Sequence, residues 1–260
     1  TEPRELGPVA LTLKMKIILW NTRWAKPGSP EGMCIQEFSE SHSADVICYT
    51  EVLEGLPPPT GYLIESGPDY GYKDTEGKRK VSLWSSQPWN DIEITGHKDL
   101  PSGRFISGVS FGVRFVGVCI PWRDAHVRTG RKDRKQWEDH SLYLKGLKSI
   151  VRKYQKDKVP LCILGDFNQR IPRCWQPEHV YELLEEILVP DFKTETAGLH
   201  DSEGKSLIDH ISVTPEISVS VENIHPKKTD SGLDISDHVG IAARLSLAVE
   251  ILNKNQFGIE

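Results

Sequence analysis

Five short polar clusters, each at the edge of an apolar run, hold the side chains able to do chemistry. The richest is Leu161-Cys-Ile-Leu-Gly-Asp-Phe-Asn168. Asp166 and Asn168 are two residues apart, so in extended backbone they share a face. A carboxylate there suits a hard divalent cation, and an amide N–H donates to a phosphate oxygen or an attacking water. Gly165 lets the backbone turn sharply where the run stops. The remaining clusters are Asn21 after Lys16–Trp20, Glu51 after Val46–Tyr49, Asp209 and His210 inside Leu207–Val213, and Asp237-His238 before Gly240–Leu247. Taken singly, an Asp or Asn at a strand end is an ordinary turn former or cap, a lone Glu a solvated charge, and a lone His a satisfied hydrogen bonder. Five such places along five apolar runs in one chain form a set.

The elements that must position them follow from the apolar pattern. Short β-like runs at Lys16–Trp20, Val46–Tyr49, Val81–Trp84, Ile106–Val109, Phe115–Ile120, Leu161–Leu164, Ile208–Val213 and Gly240–Leu247 are rich in Val, Ile, Phe and Trp and bounded by turn residues. Several are apolar on both faces, as in strands of a sheet covered on both sides. Helices are expected over 30–43, over 133–154, where Trp137, Leu144, Leu147, Val151 and Tyr154 approach a 3–4 spacing, and over 178–188, ended by Pro190. Many strands with few helices between them point to an α/β fold of two packed mixed sheets with helices outside. No Gly-rich fingerprint follows the first strand, which disfavours a Rossmann arrangement.

The ordered motifs Ile18-Leu-Trp-Asn21, Asp45-Val-Ile-Cys-Tyr-Thr-Glu51, Gly165-Asp-Phe-Asn168, Ile208-Asp-His-Ile211 and Ser236-Asp-His238 resemble those of the endonuclease/exonuclease/phosphatase superfamily, whose fold is that of pancreatic DNase I. The resemblance spans residues 16 to 241. It implies a four-layered α/β sandwich and metal-assisted hydrolysis of phosphate esters with Mg²⁺ or Mn²⁺. Carried over by position, it makes Glu51 the principal metal-binding carboxylate with Asn21 beside it, and Asp237 a second metal-site carboxylate. Asp166 resembles the residue that orients or activates the nucleophile, Asn168 the amide on the scissile phosphate, His238 the catalytic histidine and Asp209 the carboxylate that orients it. His126, in Pro121-Trp-Arg-Asp-Ala-His126, stands near where family members place a further His or Tyr. Arg123 and Arg104 are candidate phosphate contacts through their planar forks, and Trp122 a base-stacking surface. Against abasic-site endonucleases the chain departs twice: Thr50-Glu51-Val52-Leu53 lacks the Lys that follows their Glu, and Leu207 stands where they carry Arg.

Composition bounds the reading. The chain has 260 residues, a formal charge of −5, 27% charged and 38% hydrophobic residues, which is ordinary globular composition and no polycation. Five cysteines without a C-x-x-C pair suit a reducing, cytoplasmic setting rather than a disulfide scaffold. No apolar run reaches the roughly 20 residues of a membrane span. Residues 1–14 are expected to be an extension, possibly not native, and 15–260 a single DNase I-like catalytic domain whose first strand starts at Met15. Residues 121–135, with six basic residues against two acidic, and Lys78-Arg79-Lys80 are candidate steering patches for a polyanion. The substrate expected is a nucleic acid, DNA first, with no membrane and no obligate protein partner. The alternatives are a phosphoesterase acting on a lipid or inositol phosphate, and a non-catalytic nucleic-acid-binding module.

Overall fold

The computed structural model describes residues 9–251 except residue 74. Fifteen elements follow one another: β1 (Val9–Asn21), α1 (Pro30–Ser41), β2 (Val46–Leu53), β3 (Tyr62–Glu65), β4 (Lys78–Ser85), β5 (Asn90–Glu93), β6 (Phe105–Ser110), β7 (Val113–Cys119), α2 (Glu138–Tyr154), β8 (Leu161–Asp166), α3 (Glu178–Leu188), β9 (Lys193–Thr194), β10 (Asp209–Val213), β11 (Ile217–His225) and β12 (Gly240–Ile251). They form two six-stranded mixed sheets, ordered β11-β12-β1-β2-β4-β3 and β5-β6-β7-β8-β10-β9. Among the described residues no helix is long and apolar enough to cross a membrane.

Alternation along the strands builds the layers. Ile17 and Leu19 of β1, Cys48 of β2, Phe115 of β7 and Cys162 and Leu164 of β8 point between the sheets into one buried core. Their neighbours point the other way. Ile18, Trp20, Ile47 and Tyr49 pack against Ile35 and Phe38 of α1. Val116, Val118, Leu161 and Ile163 pack against Tyr143, Leu144 and Leu147 of α2 and Leu184 and Ile187 of α3. The result is the expected four-layered sandwich: helix, sheet, sheet, helices.

Each sheet has one parallel pair at its centre. β1 runs parallel to β2, joined through α1, and β7 parallel to β8, joined through α2. Parallel strands end on the same edge. β10 runs antiparallel to β8 with Asp209 opposite Asp166, and β12 runs antiparallel to β1 with Ile241 opposite Leu19. The starts of β10 and β12 therefore meet the ends of β8 and β1, and all five polar clusters arrive at one rim of the sandwich.

The structure revises some boundaries. β1 begins at Val9, so the six residues before Met15 are already paired with β12, while residues 1–8 of the expected extension lie outside the described residues. The second helix starts at Glu138, not 133, because Trp137 sits in the left-handed region at φ 66, which ends helical propagation backwards. Gly165 does not turn the chain: it stays in β8 at φ 144, where an added Cβ would lie 1.9 Å from the Val118 carbonyl oxygen of β7. Glycine is needed there for close strand approach.

A buried polar bridge ties the layers behind the rim. His140 of α2 donates from Nδ1 to the Pro121 carbonyl at 2.6 Å and accepts at Nε2 from Gln169 Nε2 at 2.8 Å. His210 of β10 donates from Nε2 to the Gln169 carbonyl at 3.0 Å and pairs through Nδ1 with the Thr196 hydroxyl at 2.9 Å. His140 thus has one nitrogen that must accept, and burial lowers each imidazole to a pKa of about 4, so both are neutral at pH 7. A depressed histidine contributes stability that is present above its unfolded value near 6.5 and is lost as pH falls toward 4. The unfolding free energy is expected to drop by roughly 3 kcal/mol per histidine across that window. Urea titrations at pH 7.5, 5.5 and 4.5 check this, and a flat profile would exclude the neutral assignment.

Candidate active site

At the shared rim the carboxylate of Asp166 is the centre. It is buried at the end of β8 and accepts three hydrogen bonds. Asn21 Nδ2, from the end of β1 in the other sheet, reaches Asp166 Oδ2 at 3.1 Å. Asn168 donates its backbone N–H to Oδ1 at 2.9 Å and its Nδ2 to Oδ2 at 3.0 Å. The other Nδ2 hydrogen of Asn168 goes to the Ile120 carbonyl at 2.9 Å, so both are taken up within the protein. Asn168 adopts φ 53, a left-handed conformation that Asn tolerates, and this curls its side chain back onto Asp166. Asn21 Oδ1 meanwhile accepts from the Arg23 backbone N–H at 3.0 Å.

His238 faces Asp166 from the other wall. Its Nδ1 lies 2.6 Å from Asp209 Oδ2, and Asp209 is the residue opposite Asp166 in the β8–β10 ladder. Three contacts hold the His238 loop. Ser236 Oγ donates to the Asn21 carbonyl at 2.7 Å, the His238 N–H donates to Ser236 Oγ at 3.2 Å, and the Trp20 indole N–H donates to the His238 carbonyl at 3.2 Å. Gly240 lets this happen, since a Cβ there would lie 2.5 Å from the Trp20 ring. Ligand atoms of Asp166, Asp209 and His238 lie within 4.8 Å of one another.

The electrostatics are those of a carboxylate cluster short of positive charge. Burial raises Asp166 to a pKa of about 7, with Asp209 and Glu51 adding to the rise while His238 and the Asn168 N–H oppose it. Burial by itself would lower His238, but Asp209 and then Asp166 outweigh it and raise the imidazole to about 10. Asp209 Oδ1 is buried without a hydrogen-bond partner. A hard divalent cation fits such a donor set: a buried acceptor oxygen lacking a partner, carboxylates that repel one another, and a further carboxylate, Glu51, from β2 of the other sheet.

Glu51 is half-buried at φ 50 in β2, and its Oε1 accepts from Lys80 Nζ at 2.5 Å. The adjoining pairs Thr50–Val81 and Val52–Arg79 place Lys80 of β4 directly across from it. Glu51 therefore has its cation from the next strand rather than from its own. Lys80 was legible only as one member of the basic Lys78-Arg79-Lys80 patch; its pairing with Glu51 depends on sheet register.

The other sequence candidates separate. Asp237 is exposed and lies beside a cavity lined also by Arg170, Lys205, Asp209, Lys227 and His238. His126 is buried at φ 58 in the loop after β7, accepts from the Arg131 N–H at 3.2 Å and stacks on Tyr72; it is not brought to the Asp166 cluster. Arg131 and Arg134, part of the expected steering stretch, each reach Asp139 at 3.3 Å, so their charge goes into folding that loop. Arg123 lies over Trp175 at 5.9 Å, and with Trp122 it lines a hollow that includes Asn168 and Arg170. Arg104 is buried and lines a second hollow that includes Glu51 and Trp122.

No family model matches the sequence, and no curated protein sequence matches it. The fold does have solved counterparts. The 3′ phosphatase NExo from Neisseria, bound to product DNA hairpin, matches at TM-score 0.66 and 19% identity over 88% of this chain and 98% of that one. An endonuclease/exonuclease/phosphatase from Bacteroides vulgatus matches at 0.62 and 20% over 90% and 99%. An AP endonuclease from Archaeoglobus fulgidus matches at 0.62 and 16% over 88% and 98%. The chain has the DNase I-like fold of the endonuclease/exonuclease/phosphatase proteins.

If Asp209 is what raises His238, then Asp209→Asn should bring the imidazole pKa down toward its ordinary value by at least one unit. An NMR titration of the His238 ring protons reads this directly. An unchanged titration would remove Asp209 from that role.

Proposed function

We propose that this chain is a divalent-metal-dependent phosphodiesterase that hydrolyses DNA phosphodiester bonds. The observation that carries the reading is the buried pairing of His238 with Asp209 across from Asp166, with Glu51 and Asn21 arriving from the other sheet. When bound at Glu51 and the Asp166 side, Mg²⁺ or Mn²⁺ would neutralise charge building on the phosphorane oxygens and on the leaving oxygen. The side chains supply the rest. Asp166 is placed to take a proton from water, and Asn21 and Asn168 fix the direction in which its oxygens face. His238 stays protonated, so its Nε2–H is a charged donor to a phosphate oxygen, and Asp209 fixes the ring orientation.

DNA is favoured over a smaller ester by the charge around the rim. Lys78, Lys80 and Arg104 lie on the Glu51 side, with Lys80 paired to Glu51, and Arg170 lies on the His238 side beside Lys205 and Lys227, which pair with Glu203 and Asp201. Cations on both flanks suit a chain of phosphates passing through. Fold neighbours that include a 3′ phosphatase bound to product DNA hairpin and an AP endonuclease support the same substrate class. The five free thiols suit a reducing, intracellular setting.

The decisive assay is plasmid nicking with Mg²⁺ or Mn²⁺ and its arrest by EDTA, run beside RNA, nucleotide and phosphoinositide substrates. Phosphate release from the phosphoinositide alone, with plasmid intact, would replace the DNA reading by the lipid-phosphate one. Gel retardation without cleavage would leave a binding module. His238→Ala is expected to lower turnover roughly 10²- to 10⁴-fold in a protein that stays folded by circular dichroism, with a lowered melting temperature because Asp209 loses its partner. Glu51→Gln should shift the metal titration to higher concentrations, and an unchanged titration would take Glu51 out of the metal site.

A further inference from the structure

Beside Glu51 lies a cavity of about 400 Å³, a size suited to a nucleotide-sized ligand. Its wall includes Trp24, Tyr70, Lys78, Lys80, Arg104 and Trp122 together with Glu51.

Arg104 is the informative side chain. It is 2% exposed, yet among the described residues it pairs with no carboxylate. Its Nη1 makes a long 3.4 Å contact to the Cys119 carbonyl, and its Nε is buried with no partner at all. A buried guanidinium in that state is costly unless an anion completes it. The aromatic rings hold the cations without cancelling their charge. Trp24 and Tyr70 are near-parallel, 17° apart, with Lys80 Nζ 5.0 and 5.2 Å from their centroids. Lys78 lies 5.8 Å from the Trp24 centroid and Arg104 5.9 Å from that of Tyr70. Lys80 meets the carboxylate in the wall, Glu51. Trp122, at the mouth, is 48% exposed and presents an open indole face.

We propose that this cavity is a nucleotide subsite. It takes the phosphate next to the one that is cut, on Arg104, with that nucleotide's base stacked on Trp122. The proposal rests on the phosphodiesterase reading for its place in the reaction, but binding there needs no hydrolysis. Arg104 supplies a planar fork matched to two phosphate oxygens, and an indole face accepts any base. Such a subsite would fix the register of the strand against Asp166 without reading its sequence.

The test uses the Asp166→Asn protein in EDTA, titrated with a nucleoside 5′-monophosphate and, separately, with inorganic phosphate, followed by tryptophan fluorescence and calorimetry. The monophosphate is expected to bind at least tenfold more tightly than phosphate. Trp122→Leu, an exposed position, should erase that preference while leaving phosphate affinity in place. Arg104→Met should weaken both ligands at least tenfold; since it is buried, its melting curve is recorded alongside, and Trp122→Leu decides if it does not fold. Equal affinity for the two ligands, or a preference that survives Trp122→Leu, overturns the subsite. If the unaltered protein cleaves no phosphodiester and the monophosphate still binds through Trp122 and Arg104, the reaction assignment fails and the subsite stands. Cleavage without the binding preference gives the reverse.

Discussion

The whole rim is organised around a buried excess of negative charge. Asp166 and Asp209 sit opposite each other in neighbouring strands, both buried, with Glu51 close enough in field to raise Asp166 further. Removing two carboxylates from water at such separation is unfavourable unless cations and donors surround them. The protein supplies His238, the amides of Asn21 and Asn168, and Lys80 on the Glu51 side. One oxygen of Asp209 still goes without a partner. The surrounding architecture can be understood as the means of holding this imbalance in place long enough to be used on a ligand.

That architecture is a repeated solution. In each sheet a helix-connected parallel pair occupies the centre, and an antiparallel strand returns beside it. The two halves bring different chemistry to one edge: Asn21 and Glu51 from one sheet, Asp166 and Asp209 from the other. Contacts between the halves are made by side chains at the rim, such as Asn21 to Asp166, and by the dry core beneath. The His140–Gln169–His210 bridge then anchors the loop that follows Asn168 to both a helix and a strand.

What the sequence disclosed follows from burial. Each of the eight expected strands is present, and each lies inside a sheet rather than at its margin. The four strands that went unread, β3, β5, β9 and β11, are the four sheet edges. Edge strands bury less: β3 is exposed over Tyr62 and Leu63, β5 over Asn90, Asp91 and Ile92, and β9 is two residues long. β11 carries a clear alternation of Ile217, Val219 and Val221 with Ser218 and Ser220, but its polar half broke the apolar run that served as signal. At the site, Asp166, Asp209 and His238 were legible because each sits beside an apolar run. Lys80 as the partner of Glu51 was not, because cross-strand register is absent from local spacing. Nor was the inward use of the Asn168 amide, which depends on a single left-handed residue.

The contact between Trp20 and the His238 carbonyl joins residues 218 positions apart. It is made where β12 pairs back onto β1, the longest closure in the fold. Contacts of that span are slow to form, since the intervening chain must first be drawn together. His238 lies just before β12, and its carbonyl is fixed by Trp20 of β1. The imidazole is therefore set against Asp166 and Asp209 only when the two ends of the first sheet have closed on each other.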